Sequence, residues 1–154
     1  ELVLLATSHT AVAMVKPVVP DVREFLRGTV TLMEELLPYR GFGLTLPPMK
    51  VLVNCMDYTL LAEEALSALT TIIADGTYSK ADIPPVTLLD TQIYDLEVYK
   101  LGHTRGQPAH RLEYHTDRKS LPAAQTIHDL ACELFPEWCD RFDAVLQNQP
   151  KGDK

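Results

Sequence analysis

Residues 49–76 read MKVLVNCMDYTLLAEEALSALTTIIADG, and the way this stretch divides decides the class of fold. It opens on the short apolar run Val51-Leu52-Val53, bounded by Pro47-Pro48 on one side and by Asn54 to Asp57 on the other, which suits a strand buried on both faces. Beyond that polar elbow, Leu61, Ala65, Leu69, Ile72 and Ile73 recur at helical spacing. Thr59 is placed to cap this helix, Glu63 and Glu64 lie near the positive end of its dipole, and Gly76 stands where a left-handed residue ends it. The stretch is a β-loop-α unit, the repeating piece of α/β domains.

Upstream, Leu2 to Ala6 reads as a buried strand, although Leu2, Leu5, Ala6, His9, Val12 and Ala13 also satisfy the helical period. Pro17 and Pro20 close whatever residues 10–15 form. Asp21 with Glu24 is a capping-box arrangement, followed by an apolar stripe of Val22, Phe25, Leu26, Val30, Met33, Leu36 and Leu37 down to Pro38. Gly28 within that helix costs about 1 kcal/mol against Ala. Residues 39–48 form a loop back to Val51. With a strand at Leu2 the first half reads β-α-β-α, and a right-handed crossover makes its strands parallel.

Downstream the pattern changes. Val86 to Leu89 reads as a short strand, Ile93 to Leu101 alternates, and His110 to Thr116 alternates again, with Gly102, Gly106 and Pro108 in the connection. This predicts an antiparallel hairpin with a long tip and hence a mixed sheet, in a two-layer or three-layer α/β fold. Ser120 is placed to cap a helix in which Ala124, Ile127, Ala131 and Leu134 share a face. Pro136 interrupts it, and Trp138, Phe142 and Val145 continue as a second short helix. Residues 1–146 are expected to form a single domain, and residues 147–154 a polar tail or linker.

At 154 residues the chain should bury roughly two thirds of its unfolded surface, enough for a core without disulfides. Its 46% hydrophobic and 23% charged residues are ordinary for a water-soluble protein, and no apolar run approaches a membrane span of ~18 residues. The 14 Lys and Arg against 21 Asp and Glu leave a net charge of -7, which repels phosphate backbones and argues against nucleic acid as a partner. Three cysteines, an odd number in apolar or amphipathic contexts, point to a reducing, cytoplasmic or otherwise intracellular compartment. Glu1 is not an initiator, and no secretory signal follows it, so the chain is expected to begin partway through a longer protein or after removal of a tag.

Two constellations invite a chemical reading. If Ser8-His9-Thr10 and Asn54-Cys55-Met56-Asp57 are loops at the carboxyl ends of neighbouring parallel strands, they meet at the crevice where such sheets bind ligands. Cys55 and His9 would then act as nucleophile and base of a cysteine hydrolase, with the helix amino end after Asp57 lowering the thiol pKa. The separation resembles that of caspase-type proteases, but the local sequence around that family's cysteine is missing. Buried as a small apolar residue at a strand end, Cys55 needs no such role. The second is one face of the expected hairpin, carrying Asp95, Glu97, Arg111, Glu113 and His115, where carboxylates and an imidazole could hold a divalent metal for catalysis. The solvated face of an antiparallel sheet explains the same residues. His128 reads as a core-edge histidine, and Cys132 and Cys139 are too widely spaced for a Cys-x-x-Cys site.

The functional expectation is a non-catalytic interaction or assembly domain, without a cofactor, that binds another protein or other domains of its own chain. Its contact points would be Phe42 in the Tyr39 to Leu46 loop and His103 and Arg105 at the hairpin tip.

Overall fold

Val51 and Val53, with no exposed surface, mark the middle strand of the sheet. That strand, β2 (Met49–Met56), pairs in parallel with β1 (Ala11–Val15), in a register running from Ala11 opposite Met49 to Val15 opposite Val53. Strand β3 (Val86–Tyr94) lies on the other side of β2, giving a three-stranded parallel sheet of order β1-β2-β3. The computed structural model describes residues 8–76, 84–113 and 119–147. Along the sequence the chain divides near residue 90 into two compact units. The strand expected over residues 2–6 lies outside the described residues; the strand before β2 is the segment ahead of Pro17.

Helix α1 (Val19–Leu36) makes the crossover from β1 to β2. Its Met33 and Leu36 are buried with Ala11, Leu46 and Met49 in the core of the first unit, flanked by Ala13, Leu32, Leu37 and Val86. The helix begins two residues before Asp21, at Val19, and no side chain caps it. Pro20 accounts for the early start: proline is tolerated in a first turn, where its missing N–H would have had no partner. Glu24, freed from the expected capping box, pairs instead with Arg27 at 3.2 Å on the surface. A 3-10 turn over Leu37–Phe42 follows and ends at the left-handed Gly43.

Helix α2 (Leu60–Ala74) follows β2 as the β-loop-α reading requires. The Thr59 hydroxyl accepts from the Ala62 N–H, while Asp57 Oδ1 accepts from both the Thr59 N–H and the Thr59 hydroxyl. Ala62, Ala65 and Leu69 form the buried stripe. Ala65 and Leu69 are buried as expected, whereas Leu61 is 71% exposed and Ala62 takes its place in the first turn. With right-handed crossovers, a strand order that advances steadily across the sheet puts α1 and α2 on the same face, and the two helices do touch. Val12 and Met14 of the edge strand remain exposed.

Among the described residues the expected antiparallel hairpin is not present. After β3 the chain enters α3 (Glu97–Arg105) and the single turn α4 (Ala109–Leu112), so the sheet is parallel rather than mixed. Two features favour helix over strand. Glu97 lies in the first turn and His103 and Arg105 in the last, each complementing the helix dipole. Gly102 is buried where α3 meets the next turn, and its carbonyl accepts from the Gln107 N–H at 3.1 Å. Helix α5 (Ala123–Leu134) follows; Ser120 does not cap it. Instead Glu113 Oε2 accepts the Ala123 N–H at 2.7 Å. A 3-10 turn at Pro136–Trp138 leads into α6 (Cys139–Gln147), matching the interruption expected at Pro136. Among the described residues no helix is long and apolar enough to cross a membrane.

Two expectations test these local accounts. A Cβ at Gly102 would lie 2.9 Å from the Gln107 carbonyl oxygen, whereas one at Gly28 meets nothing within 4 Å. Gly102→Ala should therefore lose about 1–2 kcal/mol, overpacking outweighing helix propensity, while Gly28→Ala gains up to about 1 kcal/mol. Chemical denaturation of both variants measures the contrast, and equal signs would refute it. The Thr59 hydroxyl and N–H hold the Asp57 carboxyl below its ordinary value of 3.8. A carboxyl lowered in the folded state stabilises above its unfolded value and loses that contribution as pH falls through the folded one. The thermal midpoints of the wild type and Asp57→Ala should thus differ at neutral pH and converge as pH drops below 3.8. A gap that persists in acid would rule out the charge as its source.

Candidate functional site in the paired C-terminal helices

Helix α5 places His128 and Cys132 one turn apart, and α6 does the same for Cys139 and Asp143. Residues four apart on a helix face the same way, with Cβ atoms about 5–6 Å apart. The turn between the helices brings the two pairs together. Phe135 leaves helical geometry at φ -132°, its N–H still donating to the Ala131 carbonyl, and Trp138 donates to the Phe135 carbonyl to close the 3-10 turn. The cysteine Cα atoms then lie 4.7 Å apart, and the two sulfurs are joined in a disulfide. The odd number of cysteines pointed to a reducing compartment, which this bridge fits poorly; Cys55 is the free cysteine among the described residues. Helix pairing, which residue spacing does not reveal, makes the difference.

His128 is enclosed by acceptors. Its Nδ1 faces Asp129 Oδ1 at 3.2 Å and its Nε2 faces Asp143 Oδ1 at 2.8 Å, with Cys132 Sγ 3.7 Å from the same Nε2. Asp129 Oδ1 also accepts from Gln125 Nε2 at 2.6 Å, which fixes the carboxylate that fixes the ring. The hydrogen bond to Asp129, aided by the bond and charge of Asp143, raises the imidazole above its ordinary 6.5 against the opposing effect of burial. One ligand-type atom from each of His128, Cys132, Cys139 and Asp143 lies within 4.8 Å of every other. The turn itself is aromatic. Phe135 and Trp138 stack at 5.9 Å between centroids, Trp138 meets Phe142 edge-on at 6.5 Å, and the first two are exposed.

The residues singled out from sequence lie elsewhere. His9 sits in an exposed bend two residues before β1, and Cys55 lies at the far end of β2. Ala11 pairs with Met49, and the six residue steps from Met49 to Cys55, at about 3.3 Å each, already set Cys55 roughly 20 Å from the end of the sheet that His9 precedes, so the two are not brought together. Asp57 is engaged by Thr59. Asp95 pairs with Lys100 at 2.8 Å, Glu97 opens α3 and Glu113 caps α5, while His115 lies outside the described residues. His103 and Arg105 are exposed in the last turn of α3 rather than at a hairpin tip, and Phe42 is 81% exposed in its 3-10 turn. The signal missed in the sequence is the doubled spacing His-x-x-x-Cys and Cys-x-x-x-Asp on either side of Pro136. Each half alone is common, and only a reversal of the chain between them makes a site. No family model matches the chain, and comparison with curated proteins and with solved structures finds no match either.

Cys55 carries a different property. Its φ of 58° is left-handed, a conformation costing a non-glycine residue on the order of 1–3 kcal/mol. Cys55→Gly should therefore stay within about 1 kcal/mol of wild-type stability despite losing a half-buried side chain, and Cys55→Val should fall about 1–3 kcal/mol below it. Urea unfolding of the pair decides; a Gly variant weaker than the Val variant would refute the strain.

Proposed function

We propose that the chain is a non-catalytic protein-interaction or assembly domain whose C-terminal helix pair is governed by the thiol chemistry of Cys132 and Cys139. The observation that carries this reading is that the disulfide closes a ring around residues 133–138, and that ring displays the stacked, exposed Phe135 and Trp138. The state of the two sulfurs thereby sets the presentation of an aromatic surface of the kind that proteins bind. The partner is another protein or another domain of the same chain, and the acidic composition disfavours nucleic acid.

The bridge suits reversible use. A closed loop of this length restrains the unfolded chain by only about 2.5 kcal/mol. His128 Nε2 lies 3.7 Å from Cys132 Sγ, close enough to pass a proton to or from that sulfur during thiol–disulfide exchange. In an intracellular, reducing compartment the dithiol form predominates, and oxidation closes the ring.

Trp138 is the sole tryptophan, so its fluorescence reports on the turn directly. Equilibrated in mixtures of a small thiol and its disulfide, the chain should undergo one two-electron transition with a midpoint above about -300 mV. Trp138 emission should change across it while helical circular dichroism is retained, and Cys132→Ser should abolish the change. A bridge that opens only as the helices melt would make it a purely structural bond and overturn the reading.

A further inference from the structure

We propose that His128, Cys132, Cys139 and Asp143 form a four-coordinate site for a divalent transition metal of zinc type in the dithiol state of the chain. This deepens, and rests on, the redox reading of the cysteine pair. Two sulfurs, one imidazole nitrogen and one carboxylate oxygen make a donor set of borderline softness, suited to Zn²⁺ rather than to Ca²⁺ or Mg²⁺, which gather six or more oxygens.

The geometry is close to what such a site needs. Zinc bonds of about 2.0–2.3 Å set tetrahedral donors roughly 3.3–3.8 Å apart. Here Nε2 lies 2.8 Å from Asp143 Oδ1 and 3.7 Å from Cys132 Sγ, and no donor pair exceeds 4.8 Å. Helical i,i+4 spacing supplies two donors from each helix, so the backbone holds both pairs before any metal arrives.

A second, independent observation is the surroundings of His128. Metal-bound histidines almost always donate their other ring N–H to a carboxylate or carbonyl, which fixes tautomer and orientation. Asp129 occupies that position on Nδ1, is itself held by Gln125, and leaves Nε2 turned towards Asp143 and Cys132. Four protein donors complete the tetrahedron, so the site is structural, with no open position for a substrate.

Bridge and metal exclude one another, because the disulfide uses the electron pairs that would bind the ion. Two equivalents of a small thiol reduce the bridge: the Cys132–Cys139 S–S bond breaks, each sulfur takes one electron and one proton, and the small thiols leave as their own disulfide. The ion then replaces the two thiol protons, and any proton on Nε2, which pass to solvent. Oxidation reverses the sequence and expels the metal. The same turn is thus clasped by a covalent bond in one state and by an ion in the other.

The test uses the full chain, reduced with a phosphine, freed of reductant without air and titrated with Co²⁺. Thiol counting should give one before reduction and three after, from the three cysteines. One Co²⁺ per reduced chain should produce the intense visible bands of tetrahedral cobalt and a thiolate charge-transfer band, both abolished by Zn²⁺, and the bridged chain should produce neither. His128→Ala and Asp143→Ala should weaken binding at least tenfold, and Asp129→Ala about 10–100-fold through the ring it orients. Circular dichroism checks that each variant retains its helices, and Cys55→Ser should bind as the wild type does. Three thiols without tetrahedral bands, or bands that survive Cys132→Ser with Cys139→Ser, overturn the metal site. Three thiols that persist under an excess of small-molecule disulfide would sink the redox reading alone, and a single thiol after reduction would sink both.

Discussion

Parallel pairing of β1 with β2 is the constraint from which the first unit follows. Parallel neighbours cannot be joined by a tight turn, so the chain must travel back over the sheet, and the 18 residues of α1 do so. The returning segment from Leu44 to Pro48 then packs under the end of that helix, with Leu46 and Met49 against Met33 and Leu36. Because β2 is the middle strand, its Val51, Leu52 and Val53 are all buried. That double burial is the reason for the unbroken apolar run in the sequence.

The second unit depends on a different constraint, the reversal of the chain between α5 and α6. Pro136 cannot continue α5, since it has no N–H to donate, and Phe135 takes up the change of direction. A short reversal makes the helices neighbours and turns the faces bearing His128 with Cys132 and Cys139 with Asp143 towards one another. Acidic groups then surround the imidazole while the sulfurs meet. Sulfur chemistry and helix packing are coupled because both operate across the same few ångströms.

Legibility of the sequence varied with how local the deciding interaction was. The run at Val51, the cap at Thr59, the left-handed stop at Gly76 and the break at Pro136 are each settled within a few residues, and each is readable. Residues 93–112 misled because Leu96 and Val98 satisfy a short strand-like alternation, while Leu96 and Tyr99 fit a helical turn equally well. What favours the helix there is Glu97 in its first turn, His103 and Arg105 in its last, and the close approach of the Gln107 carbonyl that Gly102 allows. The cap of α5 was misassigned to Ser120 because Glu113, ten residues before Ala123, reaches its amide only through folding. The site was missed for the same reason: its two spacings are visible, but their convergence is not.

The sequence by itself determined the α/β class, the β-loop-α unit at its centre and the two short helices at its end, because hydrophobic period, caps and proline act over a turn or less of chain. Tertiary structure decided the rest. Parallel register set His9 and Cys55 at opposite ends of the strand pair. Helix pairing joined Cys132 to Cys139 beside His128, since distance between side chains depends on how helices dock and not on the number of residues between them.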